Sequence, residues 1–147
     1  MIYRKTLYAV VCLCLFATGA MGQTRFETRV RLIHAAAGPA HVDPGISDLA
    51  PDLTSVFKYS AYRLIESRQM TLEQGQTGRV ALPDNQVLIL QPQGMDKGRI
   101  AYQIVIQKQQ TQVFETQILL KNHSSITIGG PKFESGVLLM NISGTAR

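Results

Sequence analysis

Residues 99–121 read RIAYQIVIQKQQTQVFETQILLK, and the alternation in this stretch decides the fold class. Ile100, Tyr102, Ile104 and Ile106 fall on one face, with Gln103 and Gln107 on the other. A strict period of two with one apolar face is the pattern of a half-buried strand. The polar residues 108–111 turn the chain, and Phe114, Thr116, Ile118 and Leu120 then resume the pattern. The pair predicts a β-hairpin.

Working outward, the same period recurs. Short strands are expected at residues 79–82 and 86–91, split by Pro83-Asp84-Asn85, a turn composition. A long strand is expected over 62–72. A last pair is expected at 126–128 and 137–142, separated by the glycine-rich residues 129–136. Near the start, Phe26, Thr28, Val30, Leu32 and His34 share one face, while Glu27, Arg29 and Arg31 take the other, solvated one. One segment breaks the β pattern. Ile46, Leu49, Leu53, Val56 and Phe57 follow helical spacing behind Asp43-Pro44. Asp43 can accept free N–H groups at the N-cap, and Pro44 suits a first helical position. Pro51 kinks that run or restarts it. The prediction is a mainly β chain of α+β type: an antiparallel sheet or small β-sandwich with one packed helix over most of 46–58.

The chain has 147 residues, 45% hydrophobic, with a net charge of +5. Residues 1–22 read as a secretory signal peptide. Arg4 and Lys5 form the positive start, residues 7–20 the apolar run, and Ala20-Met21-Gly22 the small-x-small site before Gln23. The run is shorter than the roughly 20 residues a bilayer span needs. Cleavage after Gly22 leaves 125 residues as a single β-rich domain, lowers the charge from +5 to +3, and removes Cys12 and Cys14. The expectation is a periplasmic or extracellular protein without disulfides and without a stable membrane span. Scattered basic residues at so mild a charge give no nucleic-acid signature.

Catalytic signatures are missing from the processed sequence. It has no cysteine, three histidines (His34, His41, His123), and no Gly-x-Ser-x-Gly, phosphate-binding glycine loop or His-Glu-x-x-His pair. His34, His41 and Asp43 match no standard zinc spacing, and His34, ending an apolar strand face, reads as a hydrogen-bonded core-edge histidine. Asp43, Asp48 and Asp52 read as a cap and a solvent face. The prediction is a protein that is not an enzyme and needs no metal or cofactor.

Two surfaces remain as binding candidates. Tyr59, Tyr62 and Arg63 place two tyrosines beside a cation, a set that can hold a glycan or lipid fragment, although the favoured account is that Tyr62 packs in the core and Tyr59 closes the helix–strand corner. The second candidate is a strand edge built from Gly129, Gly130, Pro131, Lys132, Gly136, Val137 and Leu139. Paired glycines there allow a sharp bend or a close backbone approach.

Residues 121–130, Lys-Asn-His-Ser-Ser-Ile-Thr-Ile-Gly-Gly, resemble the polar-turn, apolar-strand, Gly-Gly segment of the outer-membrane secretin β-domain. Pro131 stands where that family carries an apolar residue, and the chain is too short for its ring-forming domains. A broader likeness covers roughly residues 28–143. Val42-Asp43-Pro44, the run from Phe57 to Leu64, Gly129-Gly130-Pro131-Lys132 and Gly136-Val137-Leu138-Leu139 are similar to small exported bacterial envelope proteins of uncharacterised function. The broader likeness implies a bacterial envelope origin and no established activity. The leader, the missing catalytic groups, the polar strand faces and the secretin likeness together point to an accessory interaction module with an envelope protein partner, associated with a secretion or pilus apparatus. The alternative is a small-ligand binding protein.

Overall fold

The hairpin expected from residues 99–121 forms one end of a four-stranded sheet of a sandwich. Strands β6 (Arg99–Lys108) and β7 (Thr111–Lys121) pair antiparallel, Ile100 opposite Leu120 and Ile104 opposite Thr116. Gln109 and Gln110, both at positive φ, make the turn. Two left-handed residues match the twist of a tight hairpin. Before it come β4 (Gly78–Leu82) and β5 (Gln86–Asp96), and this sheet runs in the order β4-β5-β6-β7.

This computed structural model describes residues 22–147. Residues 1–21, which hold all but the last residue of the expected leader, lie outside the described residues. The second sheet combines β1 (Arg25–Ala36), β2 (His41–Val42), β3 (Ala61–Glu73), β8 (Ser124–Phe133) and β9 (Gly136–Ala146) in the order β2-β3-β1-β9-β8. Its pairs are antiparallel except for the short β2–β3 contact. The mainly β architecture with a packed helix is thus observed, in its sandwich form.

The two sheets share one core. Phe26, Val30, Leu32, Leu138, Met140 and Ile142 meet Leu88, Leu90, Ile100, Tyr102 and Ile104 across the layers. One polar tie crosses with them: the Thr28 and Tyr102 hydroxyls lie 2.7 Å apart. A second core lies on the far face of the five-stranded sheet, where Ile46, Leu49 and Leu53 cover Ile33, Ala35, Tyr62 and Leu139. Full burial of one such aliphatic side chain contributes about 1.5–3 kcal/mol, enough to hold a short helix that would not persist alone.

The helix is shorter than the expected 46–58 and takes the restart that Pro51 allows. Residues Pro44–Leu49 form a 3-10 turn, and α1 (Ala50–Val56) starts afresh with Pro51 in its first turn. Asp43 makes no side-chain cap. Its carboxylate is taken instead by the Leu64 N–H at 2.8 Å and by His41 at 2.6 Å. Because the segment lies over β1, Arg31 is buried rather than solvated. Its guanidinium donates to both Asp48 oxygens (2.9 and 3.0 Å) and to Asn141 Oδ1 (3.2 Å). Asp48 is therefore the anchor of that arginine and not simply part of a solvent face. The glycine-rich residues also differ from expectation. Residues 129–133 do not separate two strands but complete β8, Gly136 opens β9, and the turn between them is Glu134-Ser135 alone.

Candidate functional site

The strand orders put β8 and β7 at the same side of the sandwich, each the last strand of its sheet, joined by Asn122 and His123. Between the two edges runs a groove of about 310 Å3, lined by Ile106, Val113, Phe114, Gly129, Gly130 and Pro131. The groove follows from a bulge in β8. Gly129 pairs with Leu139 and Lys132 with Val137, so Gly130 and Pro131 together face Leu138. A Cβ on Gly130 would sit 2.6 Å from the Leu138 carbonyl oxygen, so only glycine fits there. Pro131 removes a backbone donor at the same place.

The two edges are defended unequally. Exposed edges are ordinarily blunted by proline, charge, bulges or short length. On β8 the bulge, Pro131 and Lys132 do this, and β4 has only five residues. Strand β7 has eleven residues, no proline, and Glu115 as its one charge before Lys121. Its single irregularity, where Val113 is the extra residue against β6, lies near the turn. Apolar side chains stand open along it: Val113 is 55% exposed, Leu119 48% and Phe114 41%. Glu115 is held in place by the side-chain amides of Gln103 and Gln112. An open strand of this kind offers unpaired N–H and C=O groups, with pockets for alternate side chains, to a strand added from outside.

The expected edge residues divide. Gly129, Gly130, Pro131 and Lys132 do lie on an edge strand. Val137 and Leu139 do not, because β9 is flanked by β1 and β8 and has no free side. Gly136 is a packing position: its Cβ would fall 1.9 Å from the Ala35 carbonyl oxygen. The sequence reading found β7 as a strand of the hairpin but not as an open edge. Its signal was Val113 and Leu119, apolar residues out of phase with the buried series 114–120.

The tyrosine–arginine candidate is not brought together. Tyr62 is fully buried, and its hydroxyl donates to the Leu53 (3.0 Å) and Phe57 (3.2 Å) carbonyls, closing the end of α1. Burial pushes the Tyr62 hydroxyl above the usual phenol range. Tyr59 packs partly against the second core. Arg63 is exposed and lines a separate cleft with His34 and Glu134.

Asp43 and Asp48 are occupied structurally. Hydrogen bonds from His41 and from the Leu64 N–H hold the Asp43 carboxyl below its ordinary range, and the Arg31 guanidinium does the same for Asp48. His34 is buried, but it lacks the hydrogen bond expected of it. Among the described residues its Nε2 has no partner, and its ring stands edge-on to Phe133 at 5.3 Å. Among the described residues no three His, Cys, Asp or Glu side chains are placed to share a metal, and no helix is long and apolar enough to cross a membrane. Comparison of the chain with protein-family models, curated proteins and solved structures returned no match.

Proposed function

We propose that the protein is an exported, non-catalytic interaction module of the bacterial envelope, and that it joins other polypeptide chains by strand addition at the β7–β8 side of its sandwich. The observation that carries this reading is the open β7 edge, with exposed Val113, Phe114 and Leu119 beside an apolar groove. A long, apolar, uncapped edge invites uncontrolled pairing unless a partner covers it. The leader-like residues 1–22 and the likeness to small exported envelope proteins support the location, and the secretin-like segment that forms β8 supports a link to a secretion or pilus apparatus.

The test is a photo-crosslinking amino acid placed in cells at Val113, with Ser55 on the exposed face of α1 as the comparison site. The position 113 probe should capture a defined chain in the envelope, and Leu119→Lys should abolish the capture. Equal capture from position 55, or capture indifferent to Leu119→Lys, would sink the strand-addition reading. The processed protein should begin at Gln23 in the periplasmic or extracellular fraction, and an uncleaved product would refute the export part.

A further inference from the structure

We infer that the strand added to β7 is the β7 of a second copy, paired antiparallel about a twofold axis at Thr116. This inference rests on the strand-addition reading above and names its partner. A twofold contact requires that if residue i faces j, then j faces i. Centred on Thr116, the segment matches itself. Phe114 faces Ile118 of the other copy, Glu115 faces Gln117, and Val113 faces Leu119, each pair occurring twice. The two most exposed apolar residues of the strand, Val113 and Leu119, thereby cover one another. Gln117 brings an amide to Glu115, which already accepts from the amides of Gln103 and Gln112 in its own chain. Lys121 lies opposite Thr111, so no like charges meet.

Neighbouring registers lose this match. Both side chains of a directly opposed antiparallel pair share one face, so a twofold pairing can shift only to the next residue centre. Centring on Glu115 opposes two carboxylates. Centring on Gln117 puts Glu115 against Leu119 and Val113 against Lys121. Positions 114–118 lie in the uninterrupted part of the β6–β7 ladder, with the Val113 bulge marking its end. The pairing would merge two four-stranded sheets into one of eight strands and leave neither β7 edge open.

Because the processed chain has no cysteine, introduced thiols report the register directly. Purified processed protein carrying Leu119→Cys is mixed in turn with Thr111→Cys, Val113→Cys or Glu115→Cys protein and oxidised. Those three mixtures match centres at 115, 116 and 117 respectively. The Val113→Cys mixture should give the strongest disulfide dimer. Val113→Cys alone should give none, since its copies would lie about 20 Å apart along the strands. Light scattering should show a dimer for the parent chain, and Leu119→Lys should weaken it about tenfold or more, two symmetry-related cross-strand pairs being lost at once. A dimer crosslinked best through position 111 or 115 overturns the inference. A monomer at every concentration overturns it too. If the position 113 probe in cells still captures a different protein, strand addition stands without self-pairing; if it captures nothing, both fall.

Discussion

Replacing Gly136 by alanine should lower the melting temperature by about 10 °C. The added Cβ would lie 1.9 Å from the Ala35 carbonyl oxygen, 2.8 Å from its carbon and 3.0 Å from the Ala36 Cα. All three neighbours are backbone atoms of β1, which is paired on one side with β3 and on the other with β9. No side chain can swing away, so relief needs a shift of more than about 1 Å by a strand inside the sheet. Overpacking of this kind costs about 1–3 kcal/mol, and the fixed neighbours place Gly136→Ala at the upper end. For some 125 ordered residues the unfolding entropy converts about 2–3 kcal/mol into about 10 °C. The assay is thermal unfolding by far-ultraviolet circular dichroism, repeated in urea with tyrosine fluorescence because the chain has no tryptophan. Gly129→Ala is the internal control. The nearest atom to its Cβ is Phe57 Cε1 at 3.9 Å, an ordinary contact, and its melting point should stay within about 2 °C of the parent. If Gly136→Ala also melted within that range, the argument from close backbone approach would be wrong.

Tyr102→Phe should cost about 1–2 kcal/mol, since it strips the buried Thr28 hydroxyl of its 2.7 Å partner and leaves only the Phe26 carbonyl at 3.5 Å. A urea-based double-mutant cycle with Thr28→Val should show the two losses to be less than additive, and full additivity would refute the coupling. Leu53→Ala, at a fully buried position under α1, should cost about 2–4 kcal/mol in the same assay; a loss below about 1 kcal/mol would mean the helix contributes little to the fold. Asp43 and Asp48 both titrate below their ordinary value of 3.8 when folded. Their contribution is therefore complete above that value and is lost as pH falls through the lower, folded ones. The double variant Asp43→Asn/Asp48→Asn should lose stability less steeply than the parent as pH falls below 3.8, and equal acid slopes would refute the assignment.

Local signals made the hairpins legible. The alternation over residues 100–120, the 26–36 strand and the Pro83-Asp84-Asn85 turn depend on neighbours in sequence, and each is found in the structure. What depends on distant partners was not legible. Arg31 looked like an outward charge because nothing in its own strand says that a helical segment some 15 residues later will cover it. Val137 and Leu139 looked like an edge because their pairing with β1 spans more than 100 residues. Asp43 was read as a helix cap, but its carboxylate is captured by Leu64 and His41. The β7 surface was half legible: the buried phase was recognised, while the apolar residues left over on the other phase were passed by.

The place of β1 between β3 and β9 also has a consequence in time. The chain leaves the ribosome from its first residue, and strands β4 to β7 can zip together as successive hairpins while synthesis proceeds. Strand β1 is made before the other described strands, yet it keeps one flank open until β9 has emerged. Pairings of such long sequence separation are slow to form. Arg25 and Arg147, which exchange two backbone hydrogen bonds of 2.8 Å, are the final stitch. Until it closes, the most deeply buried strand of the molecule is the one most in need of an escort.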